Sequence, residues 1–379
     1  MKIIVFAGYF FPHKGGYENY IFELYKRLAI KGISVDVITC NTNNSLKEEK
    51  INGINIYRLD CWNILGGTYP IPKLNRNFFY IYRKIKKRNY NFVNTHTRFF
   101  LTSLLGFIFA KLNNIDLIHT EHGTKHTVLT NPIINLISHI YDHTLGYLVI
   151  KFSEYNLSVS RASGEFSKHL GAKEYKIVWN GIDSHIFHRR QTNIKTQLKI
   201  SGNNKIITFV GRLIEAKGVQ DLIEVYYYLS HKYKITLLII GKGNFEYKLK
   251  EKAKDFKDII FLGEITKEEI VDILSVTDIF INPSYSEGLP TSVLEAGACS
   301  CPVVATDVGG TNEIIENGKN GYLFCPHNLK DLQQKIDTLL NKRDTAAFFG
   351  DQLRKKIVSK FDWSVIQKQF FNVIKNAKL

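Results

Sequence analysis

The hydrophobic pattern of this chain alternates short apolar runs with longer amphipathic segments. Residues 2–7 contain an apolar run of strand length, residues 17–30 carry apolar positions at helical spacing, and residues 33–39 form a second apolar run. A strand, a helix and a strand in this order predict a β-α-β unit with two parallel, buried strands. The sequence therefore predicts an α/β protein.

The same pattern restarts in the second half of the chain, which is long enough at 379 residues for two domains with full cores. New apolar runs at 205–210 and 235–240 again flank a predicted helix. A polar stretch containing H-R-R-Q-T-N separates the two halves. The predicted organisation is a first domain, a linker, a second domain and a last amphipathic helical segment, at 1–183, 184–204, 205–360 and 361–379.

A strand, loop, helix and strand between residues 277 and 305 carry the strongest chemical signal. Pro290 suits the first position of the helix, because a proline lacks the N–H group that is unpaired there. The N–H groups that follow, of Thr291, Ser292 and Val293, lie at the positive end of the helix dipole. This loop is therefore predicted to bind an anion such as phosphate.

Two glutamates accompany this predicted anion site. Glu287 lies in the loop and Glu295 lies in the second turn of the helix. A carboxylate repels a phosphate but accepts hydrogen bonds from hydroxyl groups. The pair therefore indicates a ligand that joins a phosphate to ribose or to a sugar ring.

A second loop, in F-V-G-R-L-I-E-A-K-G, supplies positive charge. Gly211 ends a predicted strand, and Arg212 and Lys217 lie beyond its carboxyl end. Two cations in this position are suited to clamp a diphosphate without a metal ion.

Glycines and histidines mark the ligand-binding edge of the first domain. Gly15 and Gly16 precede a helix without the G-x-G-x-x-G spacing of a dinucleotide site, which counts against a nicotinamide enzyme. His96 and the segment H-T-E-H-G-T-K-H, residues 119–126, follow two predicted strands, where ligands of open parallel sheets bind.

A metal site is not expected from these histidines, because the accompanying carboxylate pattern is missing. His139 and His143 are spaced to ligate zinc from one helix face, but H-E-x-x-H is absent. We therefore expect this pair to pack within a helical region.

The motifs together resemble a known family. E-G-L-P-T-S-V-L-E matches the E-x7-E signature, and G-R-x-x-x-x-K-G the diphosphate pattern, of the GT4-type retaining glycosyltransferases. G-G-x-E near the start, T-E-H-G, V-W-N-G-I-D and G-G-T-N-E are similar to further family segments. The resemblance covers essentially the whole chain. It implies the GT-B fold, in which two Rossmann-like parallel-sheet domains face each other across a cleft and the last helix packs back on the first domain.

The resemblance also implies roles for individual residues. Glu295 would hold the nucleotide ribose, Glu287 the donor-sugar hydroxyls, and His122 would contact the donor sugar. The implied catalytic residues are His122, Arg212, Lys217 and Glu287. The implied donor-binding residues are Gly15, Gly16, Gly211, Gly288, Leu289, Pro290, Thr291, Ser292, Glu295, Gly309 and Gly310. His96, Glu121 and Asn180 are expected on the acceptor side or at the cleft. No metal or cofactor is expected, since the nucleotide sugar is a co-substrate.

Charge is unevenly distributed along the chain. The net charge is +16, and residues 1–190 carry 25 Lys and Arg against 13 Asp and Glu. Residues 73–90 contain seven basic and no acidic residues, interleaved with aromatic ones. Such a segment fits an anionic membrane surface, a basic solvent-facing helix or, through charge alone, a nucleic acid. Nucleic acid is not the expected partner.

Other features favour a cytoplasmic protein, with possible attachment to the inner face of the cell membrane. The five cysteines form no C-x-x-C pair, which fits a reducing compartment. The start of the chain shows no signal peptide, and the longest apolar stretch, 99–110, is too short to span a bilayer.

The expected function is transfer of a hexosyl or N-acetylhexosaminyl unit from a nucleotide diphosphate sugar. The acceptor would be a hydroxyl of a glycan or lipid-linked molecule in cell-envelope polysaccharide synthesis, and transfer would retain the anomeric configuration without a metal. The alternatives are a nucleotide-sugar epimerase of the same fold and a basic nucleic-acid-binding protein.

Overall fold

The computed structural model describes residues 1–13, 15–64, 67, 69–126 and 132–376. The chain divides into two compact units. The first unit comprises Met1–Trp179 together with the residues from Ile366 onward, and the second unit comprises Asn180–Val365.

The first unit is built on an eight-stranded sheet and a separate two-stranded hairpin. Its strands are β1 Lys2–Phe6, β2 Ser34–Cys40, β3 Glu48–Ile51, β4 Ile54–Leu59, β5 Cys61–Ile64, β6 Tyr69–Pro72, β7 Phe92–His96, β8 Asp116–Glu121, β9 Tyr155–Ser158 and β10 Lys176–Ile177. Its first helices are α1 Gly16–Ile30, α2 Arg76–Lys86, α3 Leu101–Leu112, α4 Pro132–Tyr141, α5 Tyr147–Lys151 and α6 Arg161–His169.

The strand order of the large sheet is β10-β9-β8-β7-β1-β2-β4-β3, and all pairs are parallel except β3 with β4. The chain runs from β1 to β2 on one side and returns to β7 on the other, so β1 and β7 flank the point where the strand order reverses. The loops after β1 and β7 therefore lie at the switch point on the carboxyl edge of the sheet, which is where open α/β sheets bind ligands.

The second unit begins with one short helix and then alternates strands and helices. Its strands are β11 Lys205–Val210, β12 Ile235–Ile240, β13 Ile259–Gly263, β14 Ile279–Asn282, β15 Val303–Thr306 and β16 Tyr322–Phe324. Its helices are α7 Ile194–Gln197, α8 Val219–Ser230, α9 Glu246–Lys252, α10 Lys267–Val276, α11 Thr291–Ala298, α12 Thr311–Ile314, α13 Leu329–Asn341 and α14 Arg343–Lys360.

The second sheet is parallel throughout, with the order β13-β12-β11-β14-β15-β16. Its strands are fully buried where α8 and α13 cover one face, with Leu222, Leu237 and Leu332 at the centre of this core. The strand order reverses between β11 and β14. The two loops with the strongest sequence motifs follow these two strands, so both lie at the switch point of this sheet.

The prediction of two Rossmann-like parallel-sheet domains is confirmed, but several elements differ from expectation. Strand β3 and the hairpin β5–β6 were not predicted, because each strand has only four residues and β3 is largely polar. The basic helix predicted over 73–90 is shorter, since it begins after the Asn75 cap and ends at Lys86.

The segment predicted as a linker, 184–204, packs as part of the second unit. Ile194 and Ile200 are buried against α10 and strands β11 and β12. Arg190 pairs with Asp272 at 2.7 Å, and the Arg189 Nε–H donates to the Ser275 carbonyl at 3.1 Å. A polar composition suggested a free linker, whereas two isoleucines are enough to anchor it.

The last helix, α15 Trp363–Asn376, begins in the second unit and ends in the first. Within the first unit the Phe370 ring lies 6.0 Å from the Tyr25 ring, and the Gln367 side-chain amide donates to the Arg27 carbonyl at 2.8 Å. Of the helices described here, none combines the length and hydrophobicity that crossing a membrane requires.

Candidate active site

In the second unit the loop between β11 and α8 presents two cations. Gly211, directly after β11, extends the backbone pairing with β12, because its N–H donates to the Ile240 carbonyl at 3.0 Å. The Arg212 side chain is exposed and forms no hydrogen bond or ion pair with another described residue. Lys217 closes a short 3-10 turn, Glu215–Lys217, directly before α8. Arg212 is thus available to a ligand in solution.

The loop between β14 and α11 meets this cationic loop through one ion pair. Lys217 Nζ lies 2.7 Å from Glu287 Oε1, and the two side chains are 20% and 10% exposed. The pair is therefore mostly shielded from water, which strengthens the attraction between the charges. Lys217 and Glu287, predicted separately from two motifs, lie in direct contact.

Two glycines allow the loops to approach this closely. Gly218 has a φ of +66°, and a Cβ there would lie 2.0 Å from the Pro283 carbonyl oxygen. Gly309 has a φ of +56°, and a Cβ there would lie 1.9 Å from the Glu287 carbonyl oxygen. A larger residue at either position would therefore force the Glu287 loop away from its neighbours.

The remaining members of the second-unit site hold the same loop by backbone contacts. The Gly310 N–H donates to the Gly288 carbonyl at 2.8 Å. The Asn180 side-chain amide donates to the Leu289 carbonyl at 3.0 Å. Asn180, expected on the acceptor side or at the cleft, belongs to the second unit, where this hydrogen bond supports the Glu287 loop.

Pro290 lies at the N-cap of α11, one residue earlier than predicted, and Thr291 is the first helical residue. The missing N–H of proline therefore removes no donor from the helix itself. Leu294 N–H donates to the Pro290 carbonyl at 3.3 Å, while the N–H groups of Thr291, Ser292 and Val293 have no acceptor within the helix. These donors and the helix dipole suit a phosphate.

Glu295, one turn into α11, is half-buried. Burial raises its pKa from 4.5 to about 7, although the Lys267 ammonium acts in the opposite direction. A carboxyl that is partly protonated near neutral pH loses its proton when hydroxyl donors bind to it. Both of its oxygens then accept hydrogen bonds. This behaviour fits a ligand that presents a diol, such as ribose.

In the first unit, His122 follows β8 and contacts His96 at the end of β7. His96 Nδ1 and His122 Nε2 are 3.1 Å apart, and Tyr25 Oη lies 3.2 Å from His96 Nε2. Burial lowers the pKa of His96 well below 6.5 and lowers that of His122 to about 4. Both imidazoles are therefore neutral at physiological pH.

A chain of hydrogen bonds links these neutral rings to the sheet. The Asn94 amide donates to Tyr25 Oη at 2.6 Å, and Tyr25 Oη lies 3.2 Å from His96 Nε2. In the neutral His96 ring one nitrogen donates and the other accepts, so the protonation of His96 Nδ1 decides whether His122 Nε2 accepts or donates in their contact. The Nδ1 of His122 is the ring nitrogen that this contact leaves for a ligand.

Glu121 and His96, expected on the acceptor side or at the cleft, are both fully buried. Glu121 Oε1 accepts the backbone N–H groups of His122 and Gly123 at 2.9 and 2.7 Å and lies 3.1 Å from Arg98. Burial alone would raise the pKa of Glu121, but the Arg98 guanidinium and the His119 contact lower it below its usual range. Glu121 thus holds the backbone at His122.

The glycine loop before α1 is shaped by a carboxylate. Gly15 caps α1, and a Cβ there would lie 2.2 Å from Glu18 Oε2. Glu18 also lies 2.9 Å from His13 Nδ1. The glycine at position 15 leaves room for the Glu18 carboxylate, which a side chain there would displace. Gly16 is the first residue of the helix.

Sequence reasoning missed the buried charge network behind His122. The Arg98 guanidinium is buried between Glu121 and Asp142, 2.9 Å from the latter. The available signal was N-T-H-T-R itself, since an arginine directly after a buried strand needs buried partners. His119, grouped with the predicted cleft histidines, is instead fully buried and contacts Thr95 Oγ1 at 2.9 Å.

Comparisons with known proteins agree with this architecture. A family model described as Glycosyltransferase Family 4 matches residues 14–185, and one described as Glycosyl transferases group 1 matches residues 190–356. An uncharacterised glycosyltransferase of Methanocaldococcus jannaschii is 32% identical over 98% of this chain and 97% of its own. The chain belongs to the GT4-type glycosyltransferase family.

More distant relatives of this glycosyltransferase have assigned activities or solved structures. The N-acetyl-alpha-D-glucosaminyl L-malate synthase of Bacillus anthracis is 25% identical over 70% of each chain. Sucrose-phosphate synthase from Thermosynechococcus elongatus has a TM-score of 0.84 at 20% identity, covering 99% of this chain and 98% of the other. HepE of Anabaena, crystallised with UDP-glucose, has a TM-score of 0.80 at 19% identity, covering 99% and 100%. These structures share the GT-B fold.

The raised pKa of Glu295 generates a prediction about stability. Between about pH 4.5 and 7 the unfolded chain releases this proton and the folded enzyme keeps it. The free energy of unfolding therefore decreases as pH rises through this window. Replacing Glu295 with Gln should therefore raise the melting temperature at pH 8 by on the order of a few °C and change it little at pH 4.5.

Thermal unfolding of the ligand-free enzyme at both pH values measures this difference, with the exposed Glu268→Gln as control. A Glu295→Gln effect of equal size at pH 4.5 and pH 8 would contradict the assignment.

Proposed function

We propose that this enzyme transfers a hexosyl or N-acetylhexosaminyl unit from a nucleotide diphosphate sugar to a hydroxyl of a glycan or lipid-linked acceptor. The single observation that carries the proposal is the Lys217–Glu287 contact at the switch point of the second sheet. It joins a phosphate-binding cation to a hydroxyl-binding carboxylate, which is the combination a sugar diphosphate requires.

The diphosphate takes its charge partners from three groups of the second unit. Arg212 is unpaired among the described residues, and the first N–H groups of α11 point out of the helix. Lys217 is held by Glu287 until the donor arrives. When the diphosphate binds, the Lys217 ammonium exchanges a carboxylate oxygen for a phosphate oxygen, and this oxygen of Glu287 accepts a sugar hydroxyl instead.

Glu295 accepts the ribose hydroxyls of the same donor. Support for a nucleotide sugar comes from HepE, which was crystallised with UDP-glucose, and support for an N-acetylhexosaminyl unit comes from the Bacillus anthracis relative. The Glu295 carboxylate gains two hydroxyl donors on binding, which offsets the cost of ionising a half-buried group.

The proposed transfer retains the anomeric configuration on one face of the sugar. The bond between the anomeric carbon and the diphosphate oxygen breaks, the acceptor oxygen forms the new bond, and the departing phosphate oxygen takes the acceptor proton. In this scheme Glu287 accepts hydrogen bonds from the sugar hydroxyls and forms no covalent bond to the anomeric carbon.

Charge stabilisation in this scheme comes from protein groups and needs no metal at the diphosphate. Arg212, Lys217 and the N–H groups of α11 are fixed before the reaction, so they stabilise the leaving diphosphate without reorganising. Metal independence of the transfer step is therefore part of the proposal.

We also propose that the acceptor lies at an anionic membrane surface, in synthesis of a cell-envelope polysaccharide. On α2, Phe79 and Tyr80 are more than half exposed, although Lys84 pairs with Glu48 and Arg88 pairs with Asp36. Four large apolar residues of α4 are likewise more than half exposed, namely Ile133, Leu136, Ile137 and Ile140. On α2 the exposed aromatic side chains share the helix with basic ones, a combination that suits the interface of an anionic bilayer.

The donor hypothesis predicts the outcome of a nucleotide-sugar panel. Release of free nucleotide, measured with and without membrane extract, should identify one donor that depends on an acceptor. Arg212→Ala and Lys217→Ala should each lower kcat/KM about 10²- to 10³-fold, because each removes charge stabilisation of the leaving group. The exposed Lys234→Ala serves as the matched control and should behave as the unchanged enzyme.

Near-normal turnover by both cation variants would overturn this reading of the site. Conversion of a nucleotide sugar alone into an epimer would show an epimerase instead. An inverted anomeric centre in the product, determined by NMR, would exclude the retaining mechanism.

The membrane hypothesis predicts preferential sedimentation with anionic liposomes over neutral ones. Replacing both Leu136 and Ile137 with Ser should reduce the bound fraction several-fold. The double variant lacks two of the apolar side chains that would enter the membrane interface. Tyr247→Ser, on an exposed helix of the second unit, is the control. Equal binding to anionic and neutral liposomes would count against the hypothesis.

A further inference from the structure

Three histidines of the first unit come together outside the donor-binding residues. His126 follows β8, His139 lies on α4, and His143 lies in the π-helical turn Asp142–Gly146 that continues it. One ring nitrogen of each can be chosen so that all lie within 4.8 Å of one another. The ring centroids of His126 and His139 are 4.3 Å apart, and those of His139 and His143 are 4.5 Å apart. We call this group the trihistidine cluster.

A hydrogen bond to Asp142 holds the His126 ring in place. Its Nδ1 lies 2.7 Å from Asp142 Oδ2, so Nδ1–H donates to this carboxylate and Nε2 keeps its lone pair. Asp142 is fully buried and also pairs with Arg98 at 2.9 Å. A carboxylate that accepts the second N–H of an imidazole is the usual outer partner of a metal-binding histidine.

The other two rings are free to move onto a shared ion. His139 and His143 are exposed, and neither forms a hydrogen bond with another described residue. A tetrahedral ion with Zn–N distances of about 2.0–2.1 Å places its ligand nitrogens roughly 3.3 Å apart. Rotation of two exposed side chains is sufficient to close the gap from 4.8 Å.

A fourth imidazole stands next to the cluster. His169, at the end of α6, is exposed, and its ring centroid lies 5.6 Å from that of His143 and 5.9 Å from that of His126. It is near enough to fill a fourth position that water otherwise occupies.

We propose that the trihistidine cluster binds a divalent transition-metal ion of the zinc class. Neutral imidazole is a preferred ligand of Zn²⁺, Cu²⁺ and Ni²⁺, and a set of three, one of them held by a carboxylate, is a built site for such an ion. None of its residues is among the proposed diphosphate-binding groups, all of which belong to the second unit.

The bound ion stabilises the position of the segment that carries His122. Contacts lead from His126 to Asp142, from Asp142 to Arg98 and from Arg98 to Glu121, whose Oε1 accepts the His122 N–H. An ion that joins His126 to α4 therefore ties the chain after β8 to the helix beside it. Its expected role is positional, and it requires neither the donor nor the acceptor.

Metal binding by the full chain tests this proposal independently of enzyme activity. Untagged enzyme is freed of metal with a chelator, exchanged into clean buffer, and titrated with Zn²⁺ by calorimetry and with Co²⁺ by visible absorption. We expect one ion per chain and a Co²⁺ spectrum of tetrahedral intensity. Replacing His139 and His143 together with Gln should weaken affinity at least about 100-fold, because two of three protein ligands are lost.

The matched control replaces two exposed histidines of the second unit, His185 and His231, with Gln and should bind as the unchanged chain does. Circular dichroism establishes that both double variants are folded, which the exposure of all four side chains leads us to expect. Equal affinity in the His139/His143 variant and the control variant would overturn the proposal, as would the absence of stoichiometric binding by the unchanged chain. Loss of transfer activity does not enter this test, so failure of the proposed function would not affect it.

Discussion

The donor site depends on the ion pair between Lys217 and Glu287. The pair links the loop after β11 to the loop after β14, the two strands that flank the reversal of strand order in the second sheet. Such a pair, mostly removed from water, is stable only while both charges are matched. A diphosphate offers Lys217 an alternative partner, and sugar hydroxyls offer Glu287 one. In the proposed mechanism the donor separates these two groups, which otherwise balance each other's charge.

The first unit also contains buried charges that are matched by partners of opposite sign. Arg98 lies between Glu121 and Asp142 with almost no exposure, so its charge is matched by carboxylates on both sides. Glu121 in turn holds the backbone where His122 leaves the sheet. Because removal of one partner would leave an uncompensated buried charge, this network fixes the position of His122 more firmly than packing alone.

Much of the fold was readable from the sequence because both sheets are parallel and buried. Their strands appear as continuous apolar runs, and the glycine and proline signals at Gly218, Gly309 and Pro290 locate the loops. Elements of only four residues were missed: the edge strand β3, the two strands of the hairpin β5–β6, and helix α7 within the predicted linker. Their position is decided by contacts with distant residues, which local pattern does not contain.

The candidate site shows the same division between local and long-range information. Motif spacing predicted Lys217 and Glu287 individually, but their contact across 70 positions required the folded structure. His96, Glu121 and Asn180 were expected on the acceptor side or at the cleft, and the structure adds what they contact. The first two are buried as supports of His122, and Asn180 supports the Glu287 loop, because buried polar groups must find partners wherever the fold provides them.

The most direct measurement of the central claim is the affinity of Glu287→Gln for the nucleoside diphosphate alone, compared with that of the unchanged enzyme and of Lys217→Ala. If Glu287 competes with the diphosphate for Lys217, the glutamine variant should bind the nucleoside diphosphate as tightly as the unchanged enzyme or several-fold more tightly, and lose its preference for the sugar-bearing donor. A loss of diphosphate affinity in Glu287→Gln as large as that in Lys217→Ala would contradict the account.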